Sequence, residues 1–315
     1  MTFAILMAAV TIAVPKPGAR LPPVDRCYSI GAVSRGVTNL VVQGRDVAIY
    51  RTGAWATMLD VVPGTNTVEV IAGGEVTNLV FFVAPKPPPK PAVPAATNAP
   101  PAKVYAKLDY AKDEARTHPR GKRREEIVIA LDPGHGGTDV GALSPHGYFE
   151  KEANLLVARE VRRALEKRGL RVLMTREDDR AIELTERPRA AHEQGADAFV
   201  SIHHNAPAAD RDPRAIRYTA AYAWNPLGEA LAKAVDVRLG KALEGDIRNN
   251  GVLRANFAVT RSPEVPSCLV EVDFLVSPEG EEAVWNHVRR RRIAEAIADG
   301  IVDWAEPAKE EGESE

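Results

Sequence analysis

The run PKPPPKPAVPAATNAPPAK, from Pro85 to Lys103, limits how this chain can fold more than any other stretch. Proline fixes φ and has no amide hydrogen, so a segment this rich in it extends as a semi-rigid spacer and cannot build a packed core. Folding must happen on either side of it. A length of 315 residues leaves room for one small and one full-sized domain. The division expected is a signal peptide or N-terminal extension over residues 1–26, a small β-sandwich-like module over 27–84, a linker and charged tether over 85–125, a larger α/β domain over 126–306 and a disordered acidic tail over 307–315.

The opening MTFAILMAAVTIAVPKPGAR has an apolar stretch too short to span a bilayer. It reads either as the core of a signal peptide without a basic start or as a plain N-terminal strand. From Cys27 to Val83 short runs rich in β-branched and aromatic residues alternate with turn residues: TNLVVQ, DVAIY, WATMLDV, NTVEVIA and VTNLVFFV, with breaks at Pro63-Gly64 and Gly73-Gly74. That is an all-β module of immunoglobulin-like type, reduced or completed by flanking residues. Trp55 and Tyr50 are aromatics that would stack on sugar if exposed, although core packing is the commoner use. Cys27 and Cys268 fall on opposite sides of the linker and are not expected to pair. A formal net charge of −2 gives no reason to expect nucleic acid, and Arg289 to Arg292 read as one turn of a solvated helix.

Beyond the linker the periodicity changes. EEIVIALD is a continuous apolar run of buried-strand type, and ANLLVAREVRRALEKRG has helical spacing closed by Gly169. LRVLMT, ADAFVSIHH and PSCLVEVDFL read as strands. LTERPRAAHEQG, LGEALAKAVDVRLGKALEG and SPEGEEAVWNHVRRRRIAEAIADGIVDWA read as helices. Alternation of this kind predicts an α/β domain with a mostly parallel sheet flanked by helices on both faces.

In such sheets, sites form outside the carboxyl ends of the strands. His135, in LDPGHGGTDVGA, lies just past the first strand; the glycines there have neither the phosphate-loop nor the dinucleotide spacing. His203 and His204 end a second strand and Glu271 lies near the end of a third, so three strands deliver ligand-capable groups to one edge. Imidazole and carboxylate suit a catalytic zinc with three protein ligands and one open position. Glu150 opens the first long helix and is placed to supply the third ligand, with Glu152 as competitor and helix-dipole complementation as the plain alternative. Neighbouring strand residues face opposite ways, so only one of His203 and His204 is expected to reach the metal, and periodicity does not say which. Asn205, just beyond, is placed to hold a ligand or a substrate carbonyl by hydrogen bonding. Cys268, three residues before Glu271, belongs on the opposite face as a core thiol, and TREDD (175–179) is expected to position its strand end through an ion pair.

Taken together, LDPGHGGTDVGA, EKEANL, TREDD, LTERPRAAHEQGADAFVSIHHNA, GVLRANFAVTR and CLVEVDFL resemble the zinc-dependent N-acetylmuramoyl-L-alanine amidases over Ile127 to Trp304, in that family's order and spacing. The resemblance implies a hydrolase with an α/β fold and one zinc, held by His135, Glu150 and His203, and Glu271 as catalytic glutamate. It settles the choice for His203 over His204, and it suggests Asn205 and Arg254 as substrate contacts. It implies cleavage of the bond between N-acetylmuramic acid and the L-alanine of peptidoglycan stem peptides by an extracytoplasmic enzyme, periplasmic or secreted. A monomer is expected, with no integral membrane segment. Two other readings share these residues: a non-catalytic peptidoglycan-binding or activator protein, and a zinc peptidase acting within stem peptides. The family usually has glycine at Asp273 and often asparagine near Ser277, and His192 and His204 also depart from its common residues. Some members carry a helix after the second histidine motif that occludes the zinc; the short passage from Asn205 to RYTAAYAWN predicts an open site here.

Overall fold

The computed structural model describes residues 9–87, 118–119, 121–262 and 264–306. Most of the expected linker and the whole acidic tail lie outside these residues, as do residues 1–8 of the expected leader. The described residues form three sheets. No helix among them is long and apolar enough to cross a membrane.

The N-terminal part holds eight strands rather than the five expected, and they start before residue 27. Strands β1 (Val10–Val14), β3 (Arg26–Val33) and β6 (Ala54–Asp60) make an antiparallel sheet in the order β1-β3-β6. Strands β2 (Arg20–Leu21), β4 (Leu40–Val42), β5 (Arg45–Asp46), β7 (Gly64–Ala72) and β8 (Glu75–Val83) make the other, ordered β2-β8-β7-β4-β5. The flanking residues thus complete the sandwich, and the apolar start contributes strand β1. Cys27, Leu40, Trp55, Leu59, Val68, Val70, Leu79 and Phe81 fill the space between the sheets. DVAIY contributes only Asp46 to a strand. In exchange β3, RCYSIGAV, was missed because it does not alternate: Cys27, Ser29 and Ile30 through Ala32 are all buried. A strand reads that way when both of its faces are covered. Here Cys27 faces the sandwich core, and Ile30 packs with Ala13 and Ala56 against Phe274 and Val276 of the second half.

That second half is built on a six-stranded sheet in the order β10-β9-β11-β14-β12-β13. Its strands are β9 (Val128–Pro133), β10 (Arg171–Met174), β11 (Ala198–Asn205), β12 (Tyr218–Ala223), β13 (Arg248–Arg254) and β14 (Ser267–Phe274). The sheet is mixed rather than mostly parallel. The β12–β13 pair, which strand periodicity did not show, runs parallel within itself but antiparallel to β14. Helices α1 (Glu150–Lys167), α3 (Pro226–Ala242) and α5 (His287–Ala305) cover one face through Val157, Val161, Val235, Leu239, Ile297 and Ile301. Each such side chain contributes roughly 1.5–3 kcal/mol by leaving water. Helix α2 (Glu186–Glu193) and a 3-10 turn (Ala258–Thr260) cover the other through Ala191 and Val259. The single C-terminal helix expected is two, α4 (Pro278–Trp285) and α5. Asn286 separates them in an extended conformation, its side chain accepting from the amides of Val288 and Arg289. Arg289 to Arg292 fall in the first turns of α5.

Candidate metal centre and active site

Parallel pairing of β9, β11 and β14 brings their carboxyl ends level. His203 lies in register with Glu271, and Ile202 with Pro133. Past Pro133 the chain turns sharply, and His135 itself takes a left-handed φ of 62°. The glycines around it are there for contact. A Cβ at Gly134 would run into the His203 ring, and one at Gly141, at φ +67°, would lie 2.6 Å from Glu150 Oε2 and 2.7 Å from His135 Cδ2. Two ligand-bearing side chains can therefore press on this loop only because it is bare.

The structure brings together three of the expected ligands. Donor atoms of His135, Glu150 and His203 all lie within 4.8 Å of one another. Glu150 Oε1 is 3.1 Å from His135 Nε2 and 3.0 Å from His203 Nδ1. Burial works against charge on Glu150, yet the two imidazoles hold its carboxyl well below the usual range. Burial likewise opposes protonation of His135, but contacts with Glu150 and Asp139 lift it to about 9, and Glu150 lifts His203 in the same way. The buried carboxylate draws positive charge to one point, as a cation site does. Two imidazoles and a carboxylate with space for a fourth ligand fit zinc. Glu152 is excluded from the cluster: it is exposed and accepts from the Phe149 amide at 3.0 Å, capping α1.

Glu271 faces the same space from β14. Its Oε2 is buried without a hydrogen-bond partner, and burial pushes its carboxyl up to about 7. A cavity of about 290 Å³ runs from this cluster over Asn205, Leu184, Phe257, Val259 and Leu269. Asn205 donates to Tyr218 Oη at 3.3 Å while its Oδ1 accepts from the Ala206 amide at 2.8 Å. Arg254 is elsewhere: it lies 5.0 Å over the Trp224 ring and lines a separate cavity with Asn225 and Glu229. No helix lies between β11 and β12.

His204 shows what strand alternation does to a neighbour. It points to the opposite face, where burial lowers its pKa to about 4, and its Nδ1 lies 2.7 Å from Asn154 Oδ1. Asn154 also donates to Gly134 O at 3.2 Å and to Glu150 Oε1 at 3.3 Å, joining the loop, the carboxylate and His204. Sequence reasoning did not single it out, although Asn154 sits one turn after Glu150 on the same helix face. Arg187 was missed as well. From α2 it pairs with fully buried Asp132 at 2.8 Å and donates to His135 O at 2.9 Å. Asp132 further accepts from Thr175 and Ser201, both at 2.6 Å. Arg176 of TREDD holds the loop through carbonyls of Pro133, Gly134 and Lys151 rather than through an ion pair. Asp179 pairs with Lys151 at 2.6 Å. Asp273 is buried against Arg217 at 2.6 Å. Cys268 is buried in the helix-covered core, where burial pushes its thiol up.

Residues 129–303 match the Amidase_3 family, described as N-acetylmuramoyl-L-alanine amidase. The chain is 34% identical over 237 residues to N-acetylmuramoyl-L-alanine amidase AmiC of Neisseria meningitidis, a match covering 61% of this chain and 56% of that protein. It is 33% identical over 225 residues to N-acetylmuramoyl-L-alanine amidase AmiA of Escherichia coli, covering 58% and 76% respectively. Among solved structures, N-acetylmuramoyl-L-alanine amidase AmiC2 of Nostoc punctiforme aligns with a TM-score of 0.53 at 34% identity, over 56% of this chain and 96% of that one.

Proposed function

The chain belongs to the Amidase_3 family, and from that membership we propose that it hydrolyses the amide bond between N-acetylmuramic acid and L-alanine in peptidoglycan. The observation that carries the reading is the convergence of His135, Glu150 and His203 beside Glu271, whose buried Oε2 has no partner. His135, Glu150 and His203 are the residues to hold a zinc ion, one per chain. Bound there, zinc would supply Lewis acidity at the scissile carbonyl and a water acidified towards neutrality. Glu271 takes the proton from the attacking water and returns it to the leaving amine of L-alanine. A carboxyl raised towards neutrality by burial suits both halves of that task. Asn154 and Arg187 keep the ligand loops in place. Asn205, which lines the cavity, is the substrate contact retained; Arg254 contacts substrate only where that substrate reaches beyond the cavity.

The reading places a monomeric enzyme outside the cytoplasm, where peptidoglycan lies. Its unit of catalysis is residues 126–306, beside an N-terminal module of immunoglobulin-like type. The test is digestion of purified peptidoglycan by the wild type, by chelator-treated protein and by Glu271→Ala, with products identified by mass spectrometry. Free stem peptides beginning at L-alanine, lost on chelation and in the variant, are expected. Cleavage inside the peptides would move the protein to a peptidase, and binding of sacculi without cleavage after zinc is restored would leave a non-catalytic role.

A further inference from the structure

The β1-β3-β6 sheet turns its second face to the α/β half, and the contacts it makes there are not scattered. Ala13, Ile30 and Ala56 pack in one apolar cluster with Phe274 and Val276, joined by Ala142, Leu143, Ile216 and Tyr218. Phe274 and Val276 follow Glu271 out of β14. Ala142 and Leu143 begin the loop that leads into Glu150. Ile216 and Tyr218 end the loop that leaves His203. The Tyr28 amide donates to Ala209 O at 2.9 Å, on that same loop. On the Glu150 side His146 bridges the halves. Its Nδ1 lies 2.7 Å from Glu281 Oε2 and its Nε2 3.2 Å from Thr52 O, with Arg51 pairing to Glu282 beside it.

From this we infer that the N-terminal sandwich is a positioning element of the active site, buttressing the chain segments that carry Glu150, His203 and Glu271. The inference rests on the proposed metal and catalytic roles of those three residues. The physical case is one of coupling. Glu150 opens α1, and His203 and Glu271 lie near the carboxyl ends of β11 and β14, close to segments where local opening is easiest. The loop from Ala142 to Phe149 and the stretch from Ala206 to Arg217 contain no helix or strand of their own. On the inward side the Ala142 amide donates to Glu150 Oε2 at 2.9 Å, and Tyr218, just past the second stretch, meets Asn205 and packs on Phe274 with ring centroids 4.9 Å apart. Their outward sides rest on the sheet. Removing that support leaves the ligands present but less well held; groups hydrogen-bonded directly to metal ligands commonly set metal affinity or activity by about 10- to 100-fold, and a support one step further out is expected at the lower end of that range.

The experiment compares the full wild-type chain with Ile30→Arg, which sets a charge against Phe274 and Val276. The double variant His146→Ala/Arg51→Ala loosens the rim without touching the sandwich core. Hydrogen exchange at the Tyr28 amide reports whether the sheet is docked, and amides of β7 and β8 report whether the sandwich is folded. Zinc release to a competing chelator reports the site, alongside kcat and KM on peptidoglycan. Loss of Tyr28 protection with β7–β8 protection intact, zinc release faster by about tenfold and a lower kcat at similar KM is the expected result. Undocking with wild-type zinc release and kcat would overturn the inference. Should Ile30→Arg unfold the sandwich, the rim variant decides by the same readouts. If no protein cleaves peptidoglycan, the amidase reading fails, while zinc release and exchange still judge the buttress.

Discussion

Among the described residues of the sandwich, Ser29 and Asn66 are the buried polar side chains, and neither is charged. The α/β half buries Asp132, Glu150, Lys151, Arg176, Arg187, Asp273 and Glu281, with Asp236 on α3 as well. Taking a charge out of water costs several kcal/mol even when it is paired, so a fold built for stability alone avoids it. The α/β half accepts that cost around one edge of its sheet, where Asp132 and Arg187 tie down the loop bearing His135 and where Glu150 faces two imidazoles. The sandwich has no such cluster and an apolar outer contact. The contrast runs parallel to the proposed division, with chemistry in one half and positioning in the other.

The largest test of that division is Glu271→Gln. With Glu271 as the proposed general base, its loss is expected to lower kcat by about a thousandfold, within the 10²–10⁴ range for such groups. Zinc content and exchange in β7 and β8 should match the wild type. Glu271 is held above its ordinary value, so its charged form is disfavoured by folding and the neutral amide should not lower the melting temperature. Retained turnover in this variant would remove Glu271 from the mechanism.

Next in size is a matched pair of arginines. Arg187→Met strands Asp132, which is 0% exposed, with hydroxyl partners alone, and a cost of about 3 kcal/mol is expected in chemical unfolding. Arg51→Met breaks the pair with Glu282, but the Arg51 side chain is 80% exposed, and surface pairs contribute about 0–1 kcal/mol. Equal losses would mean that the two halves are not distinguished by where their charge is buried.

What could be read in the sequence follows the same line. His135, the His203–His204 pair and Glu271 were legible because polar groups at the ends of apolar strands stand out against their surroundings, while the choice of His203 over His204 came from the family resemblance alone. Asn154 and Arg187 were not, since an asparagine and an arginine in amphipathic helices look like solvated residues until the loop carbonyls they reach are placed. Strand β3 lost its alternation because it is covered twice. The β12–β13 pair reversed the expected sheet direction without any periodic signal of its own. The docking of Ala13, Ile30 and Ala56 left no mark either, because small apolar residues in a strand do not say what will cover them.

A smaller effect is expected at Arg254, which sequence resemblance placed among substrate contacts. Arg254→Ala loses the stacking over Trp224, worth about 0.5–1 kcal/mol at an exposed site. With the residue outside the catalytic cavity, kcat should be unchanged on short muropeptides. A large drop in kcat there would extend the active site along the sheet and redraw the boundary of the chemical region.

The smallest expected effect lies at the seam between the two halves. The hydrogen bond that His146 donates to Glu281 raises its pKa above 6.5, outweighing partial burial, with Thr52 O adding to it. A histidine raised on folding contributes stability that is complete below pH 6.5 and fades as pH rises through the folded value. The side chain is 30% exposed, so the gain is about 0.5 kcal/mol at most. Melting of the full chain should therefore fall slightly more between pH 6 and pH 8 than melting of His146→Gln, as an order-of-magnitude pH window around neutrality. The protection of the Tyr28 amide, taken relative to its intrinsic exchange rate at each pH, should fall over the same interval in the wild type alone. Because Glu281 also accepts from Ser144 and from the His146 amide, its place in the α/β half survives the titration. The change falls on the bridge to Thr52. If the two proteins show the same pH dependence, the seam is held by its apolar contacts without this bridge, and the two halves are coupled by shape and not by charge.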